Sequence, residues 1–180
     1  EEGHNVVLKQ VAELPEVNSS EGYVLTVTPD QVLIRATSGA GLFYGVQTML
    51  QMVDEKGLPA GVITDEPRFA YRGFMMDVSR HFFYKLNRLH LHLTDAAGWR
   101  LEIKKYPRLT EFAAWREFPT WKEWWNNGRR YEEEGSKDAH GGYYTQDDIR
   151  ELVAYAQERF ITVIPEIEMP AHSEEVLTAY

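Results

Sequence analysis

Three stretches of this chain close on side chains that can move protons or grip hydroxyl groups. The first ends Asp77-Val78-Ser79-Arg80-His81, the second His90-Leu91-His92-Leu93-Thr94-Asp95, and the third Glu166-Ile167-Glu168-Met169-Pro170-Ala171-His172. Carboxylates beside imidazoles suit general acid–base chemistry, because histidine exchanges its proton near neutral pH. The guanidinium of Arg80 offers fixed planar donors of the kind that hold vicinal hydroxyls. Structural ion pairs explain any one of these groups equally well, and Asp77 and Arg80 admit a plain pairing with each other. The arrival of Arg, Asp, Glu and His at three strand ends together points to a pocket for a polar substrate. His90 and His92 are two residues apart and so share one strand face, where they could hold a metal. Their place in mid-strand favours core histidines bonded to neighbours instead.

The elements that must position these groups are legible in outline. Residues 69–78, 86–94 and 160–167 are apolar runs of strand length. The last follows a helix opened by Thr145 with Asp148 three positions on, and continued by Ile149, Leu152, Val153 and Ala156 on one face. A helix followed by a buried strand is α/β grammar with parallel strands, and such folds meet ligands at the carboxyl ends of the strands. Trp99 follows Gly98 just past Asp95. Residues 104–144 form a long irregular segment carrying Trp115, Trp121, Trp124 and Trp125. Those indoles could make a satellite cluster under the loop or stack on sugar faces, and position alone leaves both readings open.

The first part of the chain reads differently. Val6-Val7-Leu8, Tyr23–Val27 and Val32–Ala36 are short strands, the last two joined through Pro29-Asp30-Gln31 as a hairpin. Ser38-Gly39-Ala40-Gly41 opens a helix with Leu42, Val46, Met49, Leu50 and Val53 on one face, closed by Gly57 and Pro59. Strands and a covering helix make a small α+β domain of about 65 residues. Thr64-Asp65-Glu66-Pro67 marks its boundary, so the expected domains are residues 1–66 and 67–180.

Composition excludes several classes. The chain has 180 residues, 43% hydrophobic and 26% charged, as in an ordinary globular protein. Its formal charge of −9 argues against nucleic acid as a partner. It has no cysteine, which removes disulfide frameworks, cysteine catalysis and zinc-finger ligation together. No apolar run approaches the ~18 residues of a membrane span. A complete (β/α)8 barrel takes ~250 residues, more than the chain provides. No basic n-region precedes an apolar stretch after Glu1, so no signal peptide is read here. Nothing in the composition sets an oligomeric state.

The ordered set Asp65-Glu66-Pro67-Arg68-Phe69-Ala70-Tyr71-Arg72-Gly73, Asp77-Val78-Ser79-Arg80-His81-Phe82, Leu89-His90-Leu91-His92-Leu93-Thr94-Asp95 with Gly98-Trp99, Gly142-Tyr143-Tyr144-Thr145, and Pro165 to His172 closely resembles the N-terminal half of β-N-acetylhexosaminidases of glycoside hydrolase family 20. The resemblance spans nearly the whole chain. It implies an α/β protein: a small N-terminal α+β accessory domain followed by an incomplete (β/α)8 TIM-barrel catalytic domain, with about three of eight strands recognisable. It also implies exo-hydrolysis of terminal N-acetylglucosamine or N-acetylgalactosamine, retaining and substrate-assisted, with no cofactor and no metal. By position, Arg80 matches the arginine that binds the O3 and O4 hydroxyls. Asp95 and His172 match the charged network beneath the catalytic pair, and Glu168 stands where that network commonly has Asp. Ala171 replaces a common Gly, and Ala96 a common second Asp. The catalytic Asp-Glu pair, on a Gly-Gly-Asp-Glu-like motif, does not occur in these 180 residues. It is expected beyond Tyr180, so the chain alone is expected to be inactive. Relatives place a helix between Phe83 and Tyr84, where this sequence has almost no link, and a missing segment is expected there. Family habit implies export, to a periplasmic, secreted or lysosomal location, with the targeting signal absent from this chain. The alternatives are a non-catalytic carbohydrate-binding fragment and a metal-dependent hydrolase using His90 and His92.

Overall fold

A computed structural model describes residues 5–75 and 85–180. They form two compact units, one of residues 5–72 with 85–87, the other of residues 73–75 with 88–180.

The first unit is a four-stranded sheet covered by a helix. Its strands are β1 (Asn5–Gln10), β2 (Tyr23–Val27) and β3 (Gln31–Ala36), then α1 (Gly39–Met52) and β4 (Gly61–Asp65). The sheet order is β1-β3-β2-β4, with β1 parallel to β3 and β2 antiparallel to both β3 and β4. The expected hairpin is present. Its turn is fastened by Thr28, whose hydroxyl donates to the Gln31 carbonyl at 3.0 Å and accepts from the Gln31 amide at 3.1 Å. Alternation along β3 sends Val32, Ile34 and Ala36 inward, where they meet Tyr23, Leu25, Val27 and Tyr44. Ser38 caps α1 by accepting from the Gly41 amide at 3.2 Å.

The expected face of α1 holds in part: Leu42, Val46 and Met49 pack against the core, but the most deeply buried residues are others. Gly41, Tyr44, Gly45 and Gln47 are buried, whereas Leu50 and Val53 lie more than half exposed. The helix turns its small residues to the sheet because it lies so close. A Cβ at Gly45 would sit 2.5 Å from Cγ2 of Ile34. The strand β4, and the edge strand β1 that exposes all six residues, complete the sheet. Asn87, 1% exposed, ties the end of the unit down: it accepts from the Arg72 amide at 3.0 Å and donates to the Ala70 carbonyl at 2.8 Å.

The second unit contains β5 (Gly73–Met75), β6 (Arg88–His92), β7 (Thr94–Asp95), β8 (Gly98–Trp99), α2 (Arg108–Glu111), β9 (Trp115–Arg116), α3 (Trp121–Asn126), β10 (His140–Gly141), α4 (Gln146–Gln157), β11 (Thr162–Glu166) and α5 (Glu174–Ala179). Its main sheet has the order β11-β6-β5, all parallel, as the helix-then-strand grammar predicts. The strands β6 and β11 are shorter than the apolar runs that contain them. The break expected between Phe83 and Tyr84 lies outside the described residues; on either side of it β5 and β6 are parallel neighbours. Thr145 and Asp148 form a reciprocal capping box at the start of α4. Ala156 is the buried residue of α4, and Val153, expected inward, is 43% exposed.

The long segment before α4 is structured in short pieces. β9 pairs with β10, and a second capping box, Thr120 with Glu123, starts α3. Trp99, Leu109, Ala113 and Ala179 form a core beneath it, joined by Ile103, Phe112 and Val176. Among the described residues no helix is long and apolar enough to cross a membrane.

Candidate active site

Parallel pairing of β6 with β11 sets His90 opposite Ile164 and His92 opposite Glu166. Residues of one parity on neighbouring strands share a face, so this register gathers His90, His92 and Glu166 on one side of the sheet. His90 Nε2 lies 2.7 Å from Glu166 Oε2, at contact distance but without hydrogen-bond alignment, and His92 Nε2 lies 3.6 Å from Glu168 Oε1. Donor atoms of His92, Glu166 and Glu168 fall within 4.8 Å of one another. The metal reading of the sequence named His90 and His92 together, but the atoms that converge come from His92 and the two glutamates. Each imidazole also faces a carboxylate, His90 that of Glu166 and His92 that of Glu168.

The strand ends carry the more chemically poised contact. Thr94, 1% exposed, accepts at Oγ1 from the Glu168 amide at 2.7 Å, and the Leu93 amide donates to the Glu166 carbonyl at 3.2 Å. These two bonds zip the chain leaving β6 to the chain leaving β11. Beyond Glu168, the Ser173 hydroxyl bonds the carbonyls of Glu168 at 3.1 Å and Ala171 at 2.9 Å. His172 is held within that loop at φ +53°, a left-handed conformation costing a residue with a Cβ about 1 kcal/mol. Its Nδ1 stands 3.1 Å from Asp95 Oδ1. The hydrogen bond to Asp95 is the largest cause of a raised His172 pKa, and the charges of Asp95, Glu168 and Glu175 add to it.

Asp95 is itself fixed from behind. Its Oδ1 accepts from the Ala96 amide at 2.6 Å, and the β7–β8 turn closes through Gly98 at φ +148°. Tyr131 donates its hydroxyl to the Ala96 carbonyl. Arg100 donates to the carbonyls of Ala114 and Gly142, binding the long segment to the same loop.

The structure thus brings Asp95, Glu168 and His172, three residues singled out in the sequence, to one end of the parallel sheet. Arg80, the expected substrate-binding residue, lies outside the described residues, as do Asp77 and His81. Tyr180, the position beyond which the catalytic pair is expected, is not itself a site residue. It follows α5, its ring meets that of Tyr106 edge-on with centroids 5.7 Å apart, and its hydroxyl accepts from the Arg108 amide at 3.2 Å. Those contacts fasten α5 to the start of α2, a packing role, and leave the ring mostly exposed. The tryptophans divide. Trp99 and Trp124 are buried, at 6% and 0% exposure, and serve the core. Trp121 and Trp125 stack on each other with centroids 5.1 Å apart and are about half exposed, and Arg129 lies over Trp125 at 4.8 Å. Sequence reasoning missed Glu175, which is fully buried on α5.

Residues 69–180 match the glycosyl hydrolase family 20 catalytic domain, and residues 1–66 match domain 2 of the same family. The chain belongs to glycosyl hydrolase family 20. It is 43% identical over 185 residues to a beta-hexosaminidase of Porphyromonas gingivalis, covering 89% of this chain and 22% of that protein. It is 39% identical to the N,N'-diacetylchitobiase of Vibrio harveyi, covering 91% of this chain and 20% of the relative. A Streptomyces plicatus beta-hexosaminidase mutant, solved in complex with its product N-acetylglucosamine, superposes with a TM-score of 0.78 at 35% identity over 99% of this chain and 37% of its own. The chain therefore spans about a fifth of the curated relatives named here. Its second unit is part of a family 20 TIM-barrel catalytic domain, and its first is the family's second domain.

Proposed function

We propose that the protein of which these residues are part is an exo-β-N-acetylhexosaminidase that removes terminal N-acetylhexosamine by a retaining, substrate-assisted route. The observation that carries the reading is the Asp95–His172 contact at 3.1 Å, at the carboxyl end of the parallel strands and beside Glu168. In this route the carbonyl oxygen of the substrate's own 2-acetamido group attacks C1 as the glycosidic C–O bond breaks, giving an oxazolinium ion. The leaving oxygen takes a proton from a carboxylic acid, and water then opens the oxazolinium ion with retention at C1. The acid belongs to the Asp-Glu pair, which lies outside these 180 residues.

The residues present here act around that chemistry. Asp95 and His172, with Glu168, form a charged network that tunes the proton affinity of the acid. A protonated His172 next to Asp95 offers positive charge where a neighbouring carboxylate would otherwise hold its proton too tightly. Arg80 grips the O3 and O4 hydroxyls and holds the terminal sugar in register, so that remote binding contributes to reaching the transition state.

The test is hydrolysis of a chromogenic N-acetylglucosaminide by the whole protein. We expect activity that falls at least ~100-fold when Arg80 is replaced by Ala, consistent with loss of a charge-assisted contact to the sugar. Full activity of that variant would remove Arg80 from the site, and inactivity of the unaltered protein on both N-acetylglucosaminide and N-acetylgalactosaminide would remove the reading itself.

A second reading, carbohydrate binding without turnover, is favoured by one observation. The exposed Trp121–Trp125 stack presents flat indole surface of the kind on which sugar C–H faces pack.

A further inference from the structure

Glu175 is fully buried, yet neither oxygen of its carboxyl group has a hydrogen-bond partner among the described residues. An ionised carboxylate there, with only the amides of Glu175 and Val176 near it, carries most of the cost of desolvation, whereas a neutral carboxyl carries far less. Its position matters as much as its burial. α5 begins directly after His172 and Ser173, and packs against β8, the hairpin partner of the β7 strand that carries Asp95. Glu175 is thus an enclosed carboxyl three residues along the chain from His172, whereas the side chains of His172 and Asp95 are open to solvent.

We propose that Glu175 is a positioning residue for the Asp95–His172 pair, a buried carboxyl whose ionisation is coupled to the proton on His172. The catalytic meaning of the coupling rests on the family 20 reading above; the coupling itself does not.

The charged surroundings are defined. From β7, Asp95 is close enough for its charge to oppose ionisation of Glu175, and on α5 Glu174 acts the same way. Burial is the largest cause of a Glu175 pKa above the ordinary glutamate value, and the nearby amides of Glu175 and Val176 only partly offset it. Tyr131, on the segment after α3, is kept protonated by burial and by the charges of Glu174 and Glu175, and its hydroxyl is bonded to Ala96. The neighbouring cations are engaged elsewhere. Arg129 pairs with Glu174 at 2.9 Å, and Arg108 of α2 donates to the Ala179 carbonyl at 2.9 Å and meets Glu133 at 3.4 Å. Glu168 and His172, from the loop after β11, complete the set.

While Glu175 is neutral, Asp95 is the charge that His172 answers. Once Glu175 ionises, a second negative charge appears on the same side, and His172 holds its proton more tightly. The two sites therefore titrate as a coupled pair, and the presence of Glu175 extends the pH range over which His172 stays charged.

The test follows the Glu175 side-chain carbonyl by carbon NMR, and the His172 ring by nitrogen NMR, through a pH titration of the 180-residue chain. We expect Glu175 to titrate above the ordinary glutamate range. In Glu175→Gln, which fixes the neutral shape, the His172 midpoint should fall by several tenths of a pH unit or more, and Glu175→Asp should restore part of the fall. A Glu175 midpoint at the ordinary value, an unchanged His172 midpoint in Glu175→Gln, or an equal fall in both variants would overturn the proposal. Should Glu175→Gln not fold, the wild-type Glu175 curve is compared with that in Asp95→Asn. A downward shift there supports the coupling, and no shift overturns it. No sugar enters these measurements, so their failure and that of the hydrolase reading are separate results.

Discussion

At the scale of single residues, the Asp95–His172 contact joins two half-exposed side chains, 42% and 59% accessible, across 77 positions of sequence. Because the folded state raises the pKa of His172, the contact stabilises the fold at pH values below the unfolded histidine pKa of about 6.5 and loses that contribution as pH rises through the higher folded value. Replacing Asp95 with Asn removes the dominant cause, so the His172 ring should titrate at a lower pH, checked by the same nitrogen NMR experiment; a midpoint that stays put would show that Asp95 is not what holds the proton. Asp95, Glu168 and His172 can be found in the sequence because acid–base side chains at successive strand ends are a pattern on their own. Glu175 cannot. Glu174 and Glu175 look like the ordinary acidic residues of a first helical turn, which favour the helix dipole from the surface. The one hint is that Glu175 lies four positions before the buried Ala179, and so on its face.

The elements show where periodicity informs and where it fails. The β2–β3 hairpin is readable because its inward residues alternate and its turn carries polar residues. The strand β4 exposes Gly61, Val62 and Thr64, so its alternation leaves no clear apolar face and it reads only as part of a domain boundary. The face of α1 follows the pattern only in part, through Leu42, Val46 and Met49, for a different reason. Hydrophobic periodicity weighs large apolar residues, while this helix turns glycine to the sheet to approach it closely. That closeness makes Gly45→Ala a direct probe. The added methyl would stand 2.5 Å from Ile34 Cγ2, so either the helix or Ile34 must move. We expect a loss of about 1–3 kcal/mol in urea unfolding, whereas the exposed Leu50→Ala on the same helix should cost well under that. Equal losses would mean that the helix does not pack as described. The two capping boxes make the same point from the other side: Thr120 with Glu123 is spelled out in sequence as plainly as Thr145 with Asp148, but sits among tryptophans whose own chemistry is the louder signal.

For the molecule as a whole, the chain joins a small sheet domain to three parallel strands of a barrel, and its 180 residues contain no Gly-Gly-Asp-Glu-like stretch. We therefore expect the purified chain to leave a chromogenic N-acetylglucosaminide intact over hours, and turnover above the blank would contradict the assignment of the acid to a region outside it. Calorimetry of the same chain with N-acetylglucosamine oligomers addresses the binding alternative, which requires heat of binding that disappears in Trp121→Ala. The parallel sheet also has a kinetic side. The β2–β3 hairpin closes across a few residues, but β6 meets β11 only after a chain of more than 70 residues has been gathered in. Loop closure over that distance costs entropy before any contact returns it, so hairpins precede such pairings. The Asp95–His172 contact exists only once that pairing has formed. In a newly made chain the acid–base constellation is thus among the last features to appear, and an interrupted folding event would leave a well-formed first domain attached to an unassembled site.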